Sequence, residues 1–455
     1  MNENVFIAIG SNCGNRVQNI QAAIRAIELC GLELVSTGFL YQSDPMYYEN
    51  QSAFLNTCVM VSTQLTPHEL LKTLKLLEKN LGREKTVRNG PRCIDLDIIL
   101  FGNQVIDTPD LVIPHPRMTE RLFVLRPLVD MDFCLKHPVL GTNISKMALD
   151  IPEHEQAKCV AVFPAIQVES TGVLSLKKRS YIVGILNVTP DSFSDGGQFA
   201  NIDSALSHAK KIIAEGADII DIGGESTRPN ATPVEAEEEQ RRVIEIIRRL
   251  RSEYPTLPIS IDTYKASTAK AAVEAGASIV NDVSGGLIDP EMLPTVAKLQ
   301  VPYICSQSGR VGSYVIGPIL DENSVDALKT VESELLSRVN ACMRACIFRW
   351  NLMLDPGLGF GKSGNVNFQI IKNLNSIYSG KLLGFSVMIG ASRKRFVRDL
   401  IGNGSAWSGT DTDALLGTAA VTTAAIASEV VNFHRVHDVA EMKRVIDVSE
   451  RIYRE

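Results

Sequence analysis

The 455-residue chain lacks any apolar run long enough to cross a bilayer. The longest, residues 414–427, is interrupted by Gly417, Thr418, Thr422 and Thr423, short of the ~18 residues a spanning helix needs. It also lacks a C-x-x-C pair and any cysteine–histidine cluster at zinc spacing. Its nine cysteines, an odd number, are scattered along the sequence, which argues against a disulfide framework or a structural zinc site and for reduced thiols. Neither sign of charge is in excess: the net charge is −6, with −3 in residues 1–160 and −3 in the rest, so neither part has the basic profile of a nucleic-acid binder. No repeat at a solenoid period occurs. Met1 runs almost directly into the apolar stretch 5–9, leaving no room for a leader. The expectation is a cytoplasmic protein without membrane or nucleic-acid partners, a mitochondrial location being kept for the case in which a transit segment has been removed.

What is present is an ordinary globular composition, 45% apolar and 22% charged, in a chain long enough for two or three domains with separate cores. Residues 5–9 read as a strand, and Val17, Ile20, Ile24 and Ile27 mark one face of a helix. Residues 34–41 and 54–61 are strand-like, Leu70, Leu74, Leu77 and Leu81 repeat at helical spacing, and 94–101 is a further strand. The order β-α-β-β-α-β predicts an α+β, ferredoxin-like domain, an antiparallel sheet backed by helices on one face. Between 141 and 178 no period persists, and Pro152, Pro164, Gly172 and the basic triplet from Lys177 break the pattern. The expected boundaries are a first domain at 1–160, a linker at 161–179 and a second domain at 180–455. Beyond the linker, eight short apolar runs alternate with helix-length segments, at 182–188, 218–222, 258–262, 278–282, 301–305, 352–355, 383–389 and 430–436. This predicts an α/β TIM (β/α)8 barrel, in which the polar residues at run ends, Asn187, Asp221, Asp262, Asn281, Asp355 and Arg435, share the C-terminal, functional face.

In the first part, G-P-R-C-I-D-L-D-I-I-L from residue 90 sets Asp95 and Asp97 at i and i+2 of a strand, so both project from one face. Paired carboxylates suit Mg²⁺, which keeps several waters and bridges protein to substrate phosphates. Arg83, Lys85, Arg88, Arg92, His115 and Arg121 supply donors for phosphate oxygens. In the second part, N-V-T-P-D-S-F-S-D-G-G from 187 is a hydroxyl-rich loop, and D-I-G-G-E-S-T-R-P from 221 brings two glycines beside an arginine. Asp262, Asn281 and Asp355 can present acceptors to a flat heterocycle rich in N–H donors. Asp282 and Asp289 read more simply as loop or helix anchors.

On G-S-N at 10–12, F-L-N at 54–56, Glu78 with Gly82 and Arg83, the G-P-R-x-x-D-L-D-I block, and Pro114-His115 with Arg121, residues 1 to about 135 resemble 6-hydroxymethyl-7,8-dihydropterin pyrophosphokinase. That resemblance implies two Mg²⁺ ions on Asp95 and Asp97, ATP as substrate, pterin contacts from Asn12, Ser43, Phe54 and Asn56, and nucleotide or phosphate contacts from Glu78, Arg83, Arg92, His115 and Arg121. Arg83, Arg92 and Asp97 are the implied catalytic groups. Two departures stand out: Phe54 where the family often has Tyr, and Asn89 where it has Trp or Tyr. On N-V-T-P-D-S-F-S-D-G-G, D-I-G-G-E-S-T-R-P, S-I-D-T-Y, N-D-V-S-G-G, D-P-G-L-G-F-G-K, G-A-S-R-K and R-V-H-D-V, residues 180 to about 450 resemble dihydropteroate synthase. Here the resemblance implies pterin contacts from Asp262, Asn281, Asp355 and Lys394, and pyrophosphate held by Asn187, Arg435 and His437 with one Mg²⁺, Asn187 as metal ligand. It implies a p-aminobenzoate side formed by Thr227, Pro229, Phe360, Ser392 and Lys394, with Asp191, Phe193 and Arg228 closing over the centre. Arg228, Lys394, Arg435 and His437 are the implied catalytic groups, and a homodimer through the barrel is expected. C-S-Q-S-G at 305–309 departs from the family's Met-His-Met-x-Gly run. The competing expectation is an active pyrophosphokinase fused to a non-catalytic pterin-binding barrel or to one that transfers methyl groups.

Overall fold

The computed structural model describes the chain except residues 1, 47, 85–89, 166–172, 177–178, 189–197, 229–230, 402–410 and 455. It divides into two compact units, Met1–Lys177 and Lys178–Glu455.

In the first unit, strand Glu3–Ser11 pairs antiparallel with Phe54–Thr63 on one side and with Asp95–Phe101 on the other. Helix Arg16–Leu29 buries Val17, Ile20, Ile24 and Ile27, and helix Pro67–Asn80 buries Leu70, Leu74 and Leu77, the stripes read from the sequence. The second helix begins with a capping box: the Glu69 N–H donates to Thr66 Oγ1 at 3.4 Å and the Thr66 N–H to Glu69 Oε2 at 2.8 Å. Two features differ from expectation. The run 34–41 is two strands, Glu33–Thr37 and Tyr41–Ser43, each paired with part of Phe54–Thr63. Helices also cover the opposite sheet face, because the central strands are apolar on both sides. Phe6, Cys58 and Ile99 form a core with Val124, Leu125 and Leu128 of helix Leu122–Met131 and Ile144 of helix Ile144–Asp150. The segment expected as a linker is structured at its start, Cys159–Phe163 pairing with Tyr41–Ser43 and Leu174–Ser175 pairing with Cys159–Phe163 in turn.

The second unit is a closed barrel of eight parallel strands: Tyr181–Asn187, Ile219–Gly223, Ile259–Asp262, Ile279–Asp282, Tyr303–Ser306, Leu352–Asp355, Ser386–Ile389 and Phe433–Val436. The eighth closes on the first with Val183 opposite Arg435. Each strand overlaps one of the eight apolar runs. Their near-complete burial explains why they read as continuous rather than alternating hydrophobic stretches. Asp282 is the expected loop anchor, fully buried and accepting hydrogen bonds from the N–H groups of Ser284 (2.7 Å) and Gly286 (2.8 Å) and from the Tyr303 hydroxyl (2.7 Å). Asp289 does the same for Ala266 N–H at 2.8 Å.

Candidate active sites

On strand Asp95–Phe101, Asp95 lies opposite Gly10 and Asp97 opposite Ala8, so both carboxylates leave the same sheet face. A cavity of about 300 Å³ opens there, lined by both aspartates with Ser43, Phe54, Asn56, Lys75, Arg83, Arg92, His115, Arg117, Arg121 and Phe123. Its described lining holds five cations, Lys75, Arg83, Arg92, Arg117 and Arg121, against three carboxylates, Asp44, Asp95 and Asp97, a balance that attracts a polyanion. Arg83 Nη1 lies 2.6 Å from Asp95 Oδ1 and Arg92 Nη1 2.7 Å from Asp95 Oδ2, whereas Asp97 has Lys75 Nζ at 3.8 Å. Arg121 also lines this cavity, and its buried Nε has no hydrogen-bond partner among the described residues.

The remaining expected residues divide. Asn56 Nδ2 donates to Ser43 Oγ at 2.9 Å, and the Arg92 guanidinium lies 5.7 Å from the Phe54 ring centroid, making one cluster of pterin-side candidates. His115 Nδ1 accepts from the Arg117 N–H at 3.2 Å, which leaves the proton on Nε2. Burial, reinforced by Arg121 and Arg117 and opposed by Asp97, holds its pKa below the ordinary value, so the ring is a neutral donor. Glu78 and Asn12 do not line this cavity. Glu78 is buried beneath it, accepting from the Leu96 N–H (2.7 Å), Lys75 Nζ (2.9 Å) and Arg83. Asn12 ties loops together, donating to Gln51 Oε1 (3.0 Å) and accepting from the Arg92 N–H (2.8 Å). Both thus hold neighbours of the cavity in place, Glu78 through Lys75 and Arg83 and Asn12 through Arg92.

At the C-terminal ends of the barrel strands an ionic chain links three strands. Arg435 donates from Nε to Asp221 Oδ2 and from Nη2 to Asp262 Oδ2, both at 2.6 Å, and Asn281 Nδ2 donates to Asp221 Oδ2 at 3.1 Å. Burial pushes Asp262 up to about 7 against the pull of Arg435, and the neighbouring Asp221 adds to the rise. Asp355 is buried with Oδ1 accepting the Gly357 N–H at 2.7 Å, and burial also raises its pKa. Lys394 Nζ sits 3.7 Å from the Phe360 ring centroid, and burial lowers its pKa to about 8 despite Asp355. Ser392 Oγ accepts the His437 backbone N–H at 3.1 Å and lies 3.0 Å from His437 Nδ1; when the hydroxyl donates to Nδ1, the neutral ring carries its proton on Nε2. Burial and Arg435 lower His437 to about 3, so that ring is neutral too. Asn187 ends the first strand, exposed, and Thr227 and Arg228 follow the second strand. Pro229, Asp191, Phe193 and Asn89 lie outside the described residues.

Sequence reasoning missed Lys75, Arg117 and Phe123 in the cavity, and the use of Asp221 as the anchor of Arg435. For Lys75 the signal was its i, i+3 spacing to Glu78 on the polar side of a leucine stripe. In place of the family's Met-His-Met run, Gln307 donates to Glu334 Oε2 at 2.6 Å and Ser308 Oγ to the Val283 carbonyl at 2.7 Å.

Each unit thus carries one charge-dense candidate site, a cation-rich cavity on the first and a ring of buried charges at the barrel strand ends on the second. Residues 183–437 match the pterin binding enzyme family and residues 6–133 match 7,8-dihydro-6-hydroxymethylpterin-pyrophosphokinase (HPPK), and the chain belongs to these families, joined as in bifunctional folate synthesis proteins. It is 42% identical over 455 residues to the folic acid synthesis protein fol1 of Pneumocystis carinii, covering all of this chain and 60% of that one. It is 37% identical over 486 residues to a folate synthesis bifunctional protein of Arabidopsis thaliana, covering 98% of this chain and 96% of that one. The chain thus spans about 60% of the length of the fol1 protein it matches. A Plasmodium falciparum HPPK-DHPS structure with pteroate shares the fold at a TM-score of 0.78 and 23% identity over all of this chain and 96% of that one. A Clostridium difficile dihydropteroate synthase, determined in the presence of pteroic acid, aligns with 61% of this chain and 98% of its own at 37% identity and a TM-score of 0.55.

Proposed function

We propose that the chain carries out two consecutive steps of folate biosynthesis. In the first unit the hydroxyl oxygen of 6-hydroxymethyl-7,8-dihydropterin attacks the β-phosphorus of ATP, AMP leaves, and the hydroxyl proton passes to solvent. In the barrel the amine of p-aminobenzoate attacks the pterin methylene, the carbon–oxygen bond to pyrophosphate breaks, and the amine loses a proton to give 7,8-dihydropteroate. The observation that carries the reading is the joining, on one chain, of a polyanion cavity with paired aspartates to a barrel rim whose acceptors match a pterin edge.

Asp95 and Asp97 offer hard oxygen donors on one face, a set that fits Mg²⁺ bound jointly with substrate phosphates. We place two ions there and one with the pyrophosphate at Asn187; such ions supply charge neutralisation at the phosphates. Because both Asp95 oxygens are held by Arg83 and Arg92, loading requires these guanidiniums to turn toward the triphosphate, where Arg121 and His115 Nε2–H join them. Phe54 stacks on the pterin and Asn56 binds its edge. In the barrel, Asp262, Asn281, Asp355 and Lys394 hold the pterin, Arg435 and His437 Nε2–H stabilise departing pyrophosphate, and Thr227, Pro229, Phe360 and Ser392 flank the aryl amine. Positioning and preorganised charge carry the acceleration, with no covalent enzyme intermediate.

We also propose a homodimer through the last two helices, supported by exposed Leu416 on Asp411–Ala427 and exposed Val448 and Ile452 on Val439–Tyr453. Nine unpaired cysteines support a reducing, cytoplasmic setting. No described helix is long and apolar enough to cross a membrane. The test is a coupled assay with ATP, the hydroxymethyl pterin and p-aminobenzoate, following AMP and dihydropteroate separately. Asp97→Ala is expected to lower AMP formation at least about 100-fold, the scale of losing a metal ligand, while conversion of supplied pterin pyrophosphate is unchanged. Loss of both activities would overturn the assignment of separate sites.

A further inference from the structure

Neither chemistry above uses the two-stranded hairpin that follows the fifth barrel strand, in which Arg310 pairs with Val315 and Val311 with Tyr314. It is fastened to both segments read as sides of the aryl-amine site. The Gly312 N–H donates to the Thr227 carbonyl at 3.2 Å, and the Gly309 N–H at its base donates to the Phe360 carbonyl at 3.1 Å. Lys362 reinforces the Phe360 side, its Nζ donating to the carbonyls of Gln307 (3.1 Å) and Gly357 (2.8 Å). The two backbones approach so closely that a Cβ on Gly357 would lie 1.8 Å from the Gln307 oxygen. The hairpin therefore has a fixed position relative to Phe360.

Its two inner side chains differ in fate. Val311 is 1% exposed and packs with Tyr264 and Val283, with Phe360 and Ile316 against them. Tyr314 meets the Tyr264 ring edge-on, centroids 5.9 Å apart, yet stays 40% exposed. Tyr264 cannot swing away, because its hydroxyl donates to Glu225 Oε1 at 2.7 Å, and Glu225 is also bound by Lys265. An aromatic ring held in place but left uncovered, on an element tied to Thr227 and Phe360, is a wall without a core to fill.

We infer that this hairpin is the outer wall of the aryl-amine slot, and that Tyr314, backed by Val311 and Tyr264, sets which aryl amines the barrel accepts. The inference rests on the synthase reading. It is tested by steady-state kinetics of the full chain with supplied pterin pyrophosphate. Tyr314→Ala is expected to raise KM for p-aminobenzoate about 5- to 20-fold and to narrow the kcat/KM preference for p-aminobenzoate over the longer p-aminobenzoyl-glutamate by a similar factor, the scale of one pocket contact. KM for pterin pyrophosphate stays within about 2-fold, well below that scale. Tyr314→Phe, which keeps the ring, behaves as wild type. A p-aminobenzoate KM unmoved in Tyr314→Ala, or a parallel rise in both KM values, overturns the wall assignment while leaving the synthase reading intact. A wild-type chain that forms no dihydropteroate from supplied pterin pyrophosphate overturns both.

Discussion

Asp262 and Lys394 are displaced toward neutrality from opposite directions by the same burial, one up to about 7 and the other down to about 8. A carboxylate must be ionised to accept the N–H donors of a pterin, and an ammonium must be charged to donate to its carbonyl. Lowering the pH through 7 protonates Asp262, and raising it through 8 deprotonates Lys394. We expect synthase kcat/KM for pterin pyrophosphate to be bell-shaped, falling about tenfold per pH unit beyond limbs near 7 and 8. Asp262→Asn should remove the acid limb and Lys394→Met the alkaline one, each with a lower plateau; unchanged limbs in the variants would assign the titrations elsewhere. Asp262 was legible in the sequence as a strand end, since strand ends in a barrel converge, whereas Lys394, five residues beyond the end of the seventh strand at Ile389, was singled out through the resemblance carried by G-A-S-R-K. The Asp221–Arg435–Asp262 chain was not, because nothing in residue type or spacing says which of several strand-end charges pair when 214 positions separate Arg435 from Asp221. The intraprotein bonds of Asn12 and Glu78 were illegible for a related reason: a polar side chain that holds a substrate and one that holds the loop beside it read alike in a sequence.

The elements themselves were largely visible, since eight buried parallel strands appear as eight apolar runs and amphipathic helices as stripes. The split of 34–41 into two strands was not, and its cause lies far along the chain, 91 positions away at Asp130 and nearly as far at Pro127. Gly38 packs directly on helix Leu122–Met131, where a Cβ would lie 2.6 Å from Pro127 Cβ and 2.8 Å from the Pro127 carbonyl oxygen. The neighbouring Phe39 N–H leaves the sheet to donate to Asp130 Oδ2 at 2.8 Å. A side chain at position 38 would push this helix off the sheet, and with it the Arg121 and Phe123 that line the cavity. Gly38→Ala is therefore expected to destabilise the first unit by about 1–3 kcal/mol, the range for overpacking a close contact. Thermal inactivation of the pyrophosphokinase step should move to lower temperature while that of the synthase step does not.

At the scale of the whole molecule, two units with separate cores should carry separate stabilities, and one buried residue offers a way to see this. His434, on the eighth barrel strand between Ile182 and Ile389, is 1% exposed, and neither ring nitrogen has a hydrogen-bond partner among the described residues. Burial, with Arg454 nearby, depresses its pKa from 6.5 to about 3. The sign follows from linkage: the unfolded chain binds this proton below pH 6.5 and the folded barrel does not until about 3, so His434 subtracts stability progressively as the pH falls between those values. Its contribution is about 1.4 kcal/mol per pH unit in that window. His434→Leu should stabilise the barrel by about 1–2 kcal/mol at pH 7, by removing unpaired polar atoms from an apolar setting, and its advantage over wild type should widen as the pH is lowered toward 5. The measurement is the midpoint of thermal loss of each activity at several pH values. The synthase midpoint should rise in the variant, increasingly so in acid, while the pyrophosphokinase midpoint stays where it was. A constant advantage at all pH values would mean that His434 titrates normally in the folded chain, and a shift of both midpoints together would mean that the two units unfold as one.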